Sequence, residues 1–551
     1  MSRIKKLRKE AWTEKQHRVE TERLRQRREA ERAGKRDLFK KAKDDLTRAE
    51  KETIAREELL EALEKKFTTT DPGPVFDCVV WFDEEHYNVL IDTDEDGDLT
   101  DEKILRPFGV AGEYADFGTE EASLFAVQVY EKGKLLSIVT VSSSHGSHVA
   151  SIAAAHFPGQ PQRNGIAPGA QILSIRIGDV RLGGSSDLTG EMRAVALCAR
   201  YKADIMNASW GGSSSYQDGS DLSCAIYNML SEKYGVTAFV SAGNNGPALS
   251  TLGNPGGEAA SIIGVGAYVS DDMGKYLYNV TRNNPNTSYH FTSRGPAKNG
   301  DLGVDVMGPG GAVASLAYDN LRQSQLYNGT SMSSPSLAGL GALLVSGAKQ
   351  KSFDHSPARI RAALMNGAKF LDDVDVWAQG AGLAQALPAW DHLEKNQDQL
   401  AWNYFYHVFT PNNTYTHGPG LYLREPVAAG EREVRFEISP RFPASIENKE
   451  KFLVEEDLVL KATEPWVNLP EYARLANGKI YLKPILDIPE KKHVSEGPLY
   501  AEIHAMLASR PEAGPLFRIP LTIVRPEQTE TDRNHRQTLD LAMSPGATAR
   551  R

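Results

Sequence analysis

The sequence predicts an α/β protein with a doubly wound parallel core, preceded by a helical and β-rich segment and followed by an antiparallel β-sandwich. Three observations carry this prediction. Charged residues of high helix propensity dominate the first 67 residues, apolar runs alternate with helical patterns over 136–392, and the helical period disappears after residue 400. Alternating strands and helices favour a parallel sheet covered by helices, whereas successive short strands favour a sandwich.

Residues 1–67 are expected to form a charged helical arm. Residues 1–50 carry a net charge of +8, and the remainder of the chain carries −17. The segment contains no Pro, Gly34 is its one Gly, and Glu, Lys, Arg, Ala and Leu dominate it, which favours helix. Interleaved glutamates and scarce aromatic residues argue against nucleic-acid binding. We expect a solvated arm that packs on its own protein or on a sister subunit.

Residues 68–135 predict a small β-rich subdomain. After Asp71-Pro72-Gly73-Pro74, short apolar runs are separated by polar turns, in the order CVVWF, NVLI, LFAVQVY and LLSIVTV. Runs of this length between turn residues are typical of strands.

Residues 136–392 predict the parallel core. The expected strands are AQILSIRI, ADIMNAS, VTAFVSAG and SIIGVGAYV, and the expected helices are GEMRAVALCARY, LSCAIYNMLSEKY and PARIRAALMNGA. Ligands bind at the carboxyl ends of the strands in doubly wound sheets, so we expect the functional residues there.

Residues 400–526 predict the sandwich, because seven apolar runs recur with turns between them, from GLYLREP to LFRIPLTIV. We find no catalytic cluster in this region. The tail of residues 527–551 is polar and is expected to be disordered.

Composition limits the classes of function. The 551 residues are 40% hydrophobic and 25% charged, which is typical of a globular chain with two or three domains. No apolar run approaches the roughly 18 residues of a membrane span, and no apolar segment follows the basic N-terminus as in a secretory signal. Of the three cysteines, Cys78 and Cys198 lie in apolar runs, which suits buried thiols in a reducing compartment, so we expect a cytoplasmic protein without membrane partners.

Three segments indicate a serine peptidase site, namely SSSHGSHVASIAAA at 142–155, SAGNNGP at 241–247 and YNGTSMSSP at 327–335. A serine hydroxyl becomes a nucleophile when an imidazole takes its proton, so we assign Ser331 as nucleophile and His145 as general base. The tetrahedral intermediate carries a negative oxygen, and a preorganised donor aimed at it contributes about 3 kcal/mol. We assign this role to Asn244, with the backbone N–H of Ser331 as second donor at a helix N-terminus.

Each of these residues also has an ordinary structural explanation. Ser331 alone fits a helix N-cap. His145 and His148 have HxxH spacing, but a zinc peptidase requires Glu beside the first His, where Gly146 stands. We therefore expect His148 to pack within its helix. The occurrence of the three segments in this order favours the peptidase, and its chemistry requires no cofactor or metal ion.

A further segment, ADIMNASWGG at 203–212, predicts a short strand that ends at Ser209. Glycines such as Gly211 let a substrate backbone lie against the edge of an enzyme. Taken alone, an ordinary turn explains these residues equally well.

These segments resemble the subtilisin family in the order His, Asn, Ser. Longer stretches, including those at 71–99, 156–179 and 249–257, are similar to the tripeptidyl-peptidase II family of the subtilisin superfamily, over about residues 70–526. The resemblance implies a subtilisin-like core and peptide or protein substrates. It also implies homo-oligomers, a substrate-pairing edge that includes Ser209 and Gly211, and a long insertion before the catalytic His, to which residues 1–67 belong.

The third member of the triad is left open by the sequence. Asp92 follows the apolar run Val89-Leu90-Ile91, as a triad aspartate would, but the resemblance puts this segment inside the insertion and the family's aspartate upstream of Met1. Two hypotheses follow: an N-terminally incomplete peptidase, or a homologue without peptidase function that serves as an assembly module. A subtilisin that lacks the Asp loses about four and a half orders of magnitude in turnover.

Substrate choice is also open. The resemblance implies acidic side chains that hold the free amine of a peptide, and these positions fall here at Ser186, beside Asp187, and at Gly212. We therefore assign Asp187 to substrate binding and leave exopeptidase and endopeptidase action as alternatives.

The acidic turn that contains Asp92 matches half of a calcium loop. Asp92, Asp94, Asp96 and Gly97 fit its first half, but Lys103 stands at the twelfth position, where Glu is required. We expect a solvated acidic turn and no metal.

Overall fold

A computed structural model describes most of the chain between residues 76 and 524. The described residues are 76–94, 98–117, 124–140, 143–179, 185–214, 216–283, 285–316, 323–413, 418–424, 429–443, 446–451, 454–476, 478–490 and 497–524, with nine positions between 25 and 61. The predicted arm of 1–67, apart from those positions, and the predicted tail of 527–551 lie outside them. The chain divides into two compact units, Met1–Ser142 and Ser143–Arg551.

The first unit contains two small antiparallel sheets, β1-β2 and β3-β4-β5. Its elements are β1 (Cys78–Phe82), β2 (Tyr87–Ile91), α1 (Phe108–Ala111), β3 (Ala115–Asp116), β4 (Leu124–Tyr130) and β5 (Leu135–Thr140). All four apolar runs predicted as strands here are strands. β5 pairs with β4 along its whole length, and both strands belong to the unit that ends at Ser142.

The second unit begins with the α/β core. In chain order its elements are α2 (His145–Ala154), β6 (Gly178–Asp179), β7 (Ser185–Ser186), α3 (Leu188–Arg200), β8 (Ile205–Ala208), α4 (Leu222–Tyr234), β9 (Thr237–Ser241), β10 (Ile263–Val269), α5 (Asp271–Tyr278), β11 (Thr287–Ser288), β12 (Val306–Pro309), β13 (Gly311–Ser315), β14 (Ser324–Asn328), α6 (Thr330–Lys351), α7 (Pro357–Asn366), α8 (Val376–Gln379) and α9 (Ala386–Lys395).

The central sheet has the order β11-β10-β9-β8, with β12 also paired to β10. The pairs β8–β9, β9–β10 and β10–β12 are parallel, as predicted. Successive side chains of β9 enter opposite cores: Ala238 and Val240 pack with α3 and α4, and Phe239 packs with α6, α7 and α9. Helices therefore cover both faces of the sheet, which is the predicted doubly wound arrangement.

One predicted strand is wrong. AQILSIRI (170–177) contains no strand, and Ile172 and Leu173 are 55% and 44% exposed. The sheet path ends at β8, and no strand of the described residues lies beyond it. An apolar run becomes a strand only where a neighbour satisfies its backbone, and this run has no such neighbour among the described strands.

The sandwich follows the core within the second unit. Its elements are β15 (Phe405–Phe409), β16 (Leu421–Leu423), β17 (Gly430–Glu433), β18 (Phe436–Arg441), α10 (Asn448–Lys451), β19 (Glu456–Ala462), β20 (Val467–Asn468), β21 (Tyr472–Leu475), β22 (Ile480–Leu482), β23 (Ile485–Ile488), β24 (Leu499–Leu507) and β25 (Pro515–Ile523). The pairing is antiparallel, as predicted, except that β16 and β25 are parallel. The inward residues form one apolar core that includes Trp402, Phe436 and Ile519.

Within the part of the chain that the structure describes, no helix combines the length and the apolar character needed to cross a bilayer.

Candidate active site

Ser331 is the second residue of α6, the longest described helix of the core. The helix begins after Gly329 and is rich in Ser, Ala and Gly over its first three turns, so it can approach its neighbours closely. A Cβ on Gly339 would lie 2.6 Å from Ile166, and one on Gly341 would lie 2.6 Å from the Phe239 ring. The absence of these side chains lets α6 pack tightly against the sheet and against the segment that follows α2.

The hydroxyl of Ser331 contacts the end of β8. Its Oγ donates to the carbonyl oxygen of Ser209 at 3.2 Å, and the Ser209 hydroxyl donates to the carbonyl oxygen of Ser331 at 2.8 Å. Two residues that are 122 positions apart in sequence are therefore joined twice. For the Ser331 proton to pass to an imidazole, the hydroxyl must give up this bond to Ser209.

Asn244 follows β9 and is fixed through its carboxamide oxygen. Its Oδ1 accepts from the backbone N of Thr330 at 2.9 Å and from the Thr330 hydroxyl at 3.0 Å. The side-chain nitrogen is thereby left on the other side of the carboxamide. A Cβ placed on Gly329 would lie 3.4 Å from this Nδ2 and 3.6 Å from the backbone N of Ser331. The two predicted oxyanion donors thus border the same small space, which Gly329 leaves open.

His145 is the first residue of α2, at the predicted N-terminal position. Helix α2 packs on the start of α6, where Ile152 and Val149 lie in one apolar cluster with Met332. Burial, with a smaller contribution from the charge of His148, lowers the pKa of His145 below 6.5, so the ring is a neutral base at pH 7. Within the second unit, no described hydrogen bond or ion pair joins this ring to a carboxylate.

His148 is fully buried, as expected of a packed helix residue. Its ring stacks on Tyr327 with centroids 4.4 Å apart, and its Nε2 bonds the carbonyl oxygen of Gln325 at 2.9 Å. Burial lowers the pKa of His148 and keeps it neutral. The residue fixes α2 against the hairpin that leads into α6.

Gly211 and Gly212 lie against the loop that contains Asn254. Gly212 and Asn254 exchange two backbone hydrogen bonds of 3.0 and 2.8 Å, and a Cβ on Gly211 would lie 2.8 Å from the Asn254 carbonyl oxygen. Any side chain on Gly211 would therefore collide with this backbone, which explains the glycine there.

Asp187 is the N-cap of α3, where its Oδ1 accepts from the backbone N of Gly190 at 2.6 Å. The neighbouring Ser186 donates to Glu191 at 3.2 Å, and Ser223 donates to the other oxygen of Glu191 at 2.6 Å. Glu191 is 6% exposed and was not singled out from the sequence. Its place in the first turn after an Asp N-cap is the signal that marks it.

Asp92 lies in the first unit, directly after β2, and is 3% exposed. Glu102 turns back so that its carboxylate accepts from the Thr93 hydroxyl at 2.8 Å and also from the Thr93 backbone. Carboxylate oxygens of Asp92, Asp94 and Glu102 consequently approach within 4.8 Å of one another. The spacing of these acids is visible in the sequence but this return of Glu102 is not, and Asp92 is buried where a solvated turn was expected.

The structure brings Ser331, Asn244 and Ser209 together and sets the helix of His145 against that of Ser331. Three further residues support them: Thr330, Asn207 and Ser334. Asn207 donates to the Ser209 hydroxyl at 3.0 Å, and Ser334 donates to Asn207 at 2.7 Å. In the sequence, the feature that could have pointed to Thr330 and Ser334 as supporting residues is that they lie close to Ser331.

Comparison with known proteins agrees with this geometry. The model of the subtilase family matches residues 69–401, well over half of the chain. The chain belongs to the subtilase family. Members of this family are subtilisin-type serine peptidases, and the core described above has their fold.

The sandwich matches a second model, the first Ig-like domain of tripeptidyl-peptidase II, over residues 406–524. Tripeptidyl-peptidase 2 of Caenorhabditis elegans is 35% identical over 89% of this subtilase and 35% of that protein. Tripeptidyl-peptidase 2 of Arabidopsis thaliana is 39% identical over 83% of this subtilase and 34% of that protein. A crystal structure of tripeptidyl peptidase 2 superposes with a TM-score of 0.71 at 30% identity, over 90% of this chain and 38% of that one. The subtilase thus spans about a third of the length of these relatives.

Proposed function

We propose that this chain hydrolyses peptide bonds as a tripeptidyl-peptidase II-like serine peptidase, with Ser331 as nucleophile, His145 as general base and Asn244 as oxyanion donor. The observation that carries the proposal is the fixed carboxamide of Asn244, whose oxygen is held by Thr330 while its nitrogen borders the same space as the Ser331 N–H. Two preorganised donors that border one space are the arrangement that stabilises an oxyanion.

The proposed reaction has two halves. Ser331 Oγ attacks the scissile carbonyl carbon while its proton passes to His145, and the oxyanion lies between Asn244 Nδ2 and the Ser331 N–H. The tetrahedral intermediate collapses as His145 protonates the leaving amine, which forms an acyl-enzyme. Water, deprotonated by the same imidazole, then hydrolyses the ester and regenerates the Ser331 hydroxyl.

The substrates we propose are peptides or unfolded segments bound along the end of β8, beside Gly211 and Gly212. Asp187, with the neighbouring Glu191, is the acidic group we propose for the substrate amine. Similarity to the tripeptidyl-peptidase 2 proteins supports exopeptidase action and a homo-oligomer, whereas Gly212 in place of an acid supports endopeptidase action. Cys198 and Cys224 are buried, whereas Cys78 is exposed, contrary to the expectation from its apolar run. Three free thiols are compatible with the cytoplasmic location we propose.

A second function is favoured by one observation. Among the described residues of the second unit, no hydrogen bond or ion pair joins the His145 ring to a carboxylate, so no described group there would stabilise the imidazolium formed during catalysis. A catalytically impaired peptidase that serves as an assembly module is therefore the alternative proposal.

Labelling with a fluorophosphonate probe separates the two proposals, since the probe reacts only with an activated serine. We expect labelling that disappears in both Ser331→Ala and His145→Ala. Circular dichroism of each variant controls for folding. A folded parent protein that takes no label would favour the assembly module.

A further inference from the structure

Pro335 lies inside α6 and changes the hydrogen bonding of the nucleophile's turn. In an α-helix the carbonyl of residue i accepts from the N–H of residue i+4, and the partner of Ser331 in this pattern is Pro335. Proline has no N–H. The carbonyl oxygen of Ser331 therefore lacks its i+4 donor, in a buried turn where an unmade hydrogen bond is costly.

Ser209 supplies the missing donor. Its hydroxyl, on a residue that is 9% exposed, donates to the Ser331 carbonyl oxygen at 2.8 Å. This distance is that of a good O–H···O hydrogen bond. A residue at the carboxyl end of β8 thus completes the first turn of α6.

The direction of this bond is fixed by two neighbours. Ser334 Oγ donates to Asn207 Oδ1 at 2.7 Å, and Asn207 Nδ2 donates to Ser209 Oγ at 3.0 Å. Because Ser209 Oγ accepts from Asn207, its own proton is directed to Ser331. The chain of three bonds starts and ends on the first turns of α6 and crosses β8 between them.

We infer that Ser209 is a positioning residue for the nucleophile, and that its hydroxyl replaces the helical hydrogen bond that Pro335 removes. Ser209 acts through the backbone of Ser331 and not on the reacting atoms. The inference deepens the proposed function, because it assumes that Ser331 is the nucleophile. It goes beyond substrate binding, the role assigned to Ser209 from the sequence.

A double-substitution cycle tests the pairing. Ser209→Ala is expected to lower the maximal rate of fluorophosphonate labelling about tenfold, the typical effect of one lost hydrogen bond to a buried acceptor, with little change in the probe concentration at half-maximal rate. In a Pro335→Ala background the substituted residue has a backbone N–H, which becomes available to the Ser331 carbonyl. In this background, Ser209→Ala is expected to lower the labelling rate much less than it does in the parent protein. The melting temperature is also expected to fall less than in the parent.

Ser336 provides a matched control on the same helix. Its hydroxyl donates to the Met332 carbonyl oxygen at 3.0 Å, but Met332 also has the N–H of Ser336 as its helical donor. Ser336→Ala is therefore expected to change the labelling rate and the melting temperature equally with and without Pro335. A second comparison avoids Pro335 altogether, since Ser209→Thr retains the hydroxyl and should label faster than the equally bulky Ser209→Val.

The outcomes separate this inference from the proposed function. The role of Ser209 would be overturned if Ser209→Ala lowered the labelling rate equally with and without Pro335. It would also be overturned if the parent labelled but Ser209→Thr and Ser209→Val labelled at equal rates. A parent that never labels, yet shows melting temperatures that couple Ser209 to Pro335, would support the hydrogen-bond replacement and remove the peptidase proposal.

Discussion

Among the described residues, Thr330 holds the Asn244 carboxamide by two hydrogen bonds. Both donors of Thr330 point at Asn244 Oδ1, and the Thr330 hydroxyl also accepts from the backbone N of Gly243 at 3.3 Å. Thr330 is fully buried, whereas Asn244 is exposed. A buried anchor therefore holds an accessible donor, which is the preorganisation that stabilisation of an oxyanion requires.

Replacement of Asn244 by Ala is expected to slow peptide hydrolysis or probe labelling by about 10²- to 10³-fold, because the developing negative charge loses one preorganised donor. The rate at saturating substrate measures this effect. Asn245→Ala is the matched control, since the described contact of Asn245 uses its backbone N and not its side chain. Equal rates for the Asn244 variant and the parent would exclude Asn244 from the oxyanion site.

The pH dependence of labelling should follow the ionisation of His145. Burial and then His148 lower the pKa of His145 below 6.5, so its neutral, basic form persists to lower pH than in a free imidazole. We expect a labelling rate that is constant above neutral pH and falls in acid with a midpoint below 6.5. A midpoint above about 7 would mean that a negative partner charges the imidazole, contrary to the contacts of the second unit.

Among the elements of the core, the approach of α6 to the sheet depends on glycines. Gly341 faces the ring of Phe239, which is fully buried, and Gly339 faces Ile166 and the backbone of Ala153. Because Ser331 lies at the start of this helix, the depth of packing also sets the position of this proposed nucleophile.

Gly341→Ala is expected to destabilise the protein, although alanine is the better helix former. The added Cβ would lie 2.6 Å from two ring carbons of Phe239, and overpacking of this kind costs typically about 1–3 kcal/mol, more than the roughly 1 kcal/mol gained in helix propensity.

Urea unfolding gives the free energy for this comparison. Gly146→Ala in α2 is the control, because a Cβ at that position has no heavy atom within 4 Å. That variant should gain up to about 1 kcal/mol. An increase in stability for both variants would contradict the close contact at Gly341.

In the second unit as a whole, the core and the sandwich meet around α7 and α9. The buried guanidinium of Arg359 donates to Asn403 and to the carbonyl oxygens of Asn396 and Gln399, each at 2.7 Å. Nearby, His392 packs edge-on against Trp402, with centroids 4.8 Å apart. Protonation of His392 would place a buried positive charge near the Arg359 guanidinium, and should therefore loosen the attachment of the sandwich.

His392 is expected to make the protein acid-sensitive. Burial, with a contribution from the charge of Arg359, lowers the pKa of His392 to about 4, whereas an unfolded chain has the ordinary value near 6.5. The folded state therefore binds fewer protons than the unfolded state between these values, and stability is lost as the pH falls from 6.5 to about 4. The loss attributable to His392 approaches about 3 kcal/mol.

Denaturant unfolding across this pH range measures the loss. His392→Gln should flatten the dependence, since glutamine cannot be protonated, while His156→Gln on the exposed segment after α2 should leave it unchanged. An identical slope in the His392 variant and the parent would assign the acid sensitivity to other groups.

Most elements of the fold could be predicted from local patterns in the chain, and the same patterns led to the assignments of His145, Asn244 and Ser331, whereas Thr330, Asn207 and Ser334 were missed. Periodicity identified β8, β9, β10 and the helices around them, because amphipathic and apolar patterns are local properties. The segments of the three assigned site residues are also short and continuous in sequence. His145 and Ser331 lie at helix starts, and Asn244 follows a strand.

The features that depend on a distant partner could not be predicted in this way. The run at 170–177 has strand composition but is not a strand, because no strand among the described residues satisfies its backbone. Pro335 removes a hydrogen bond visibly in the sequence, yet only the fold shows that Ser209, from another element, replaces it. Local patterns determine which conformations a segment favours, whereas hydrogen bonds between remote groups depend on distances that only the packed chain defines.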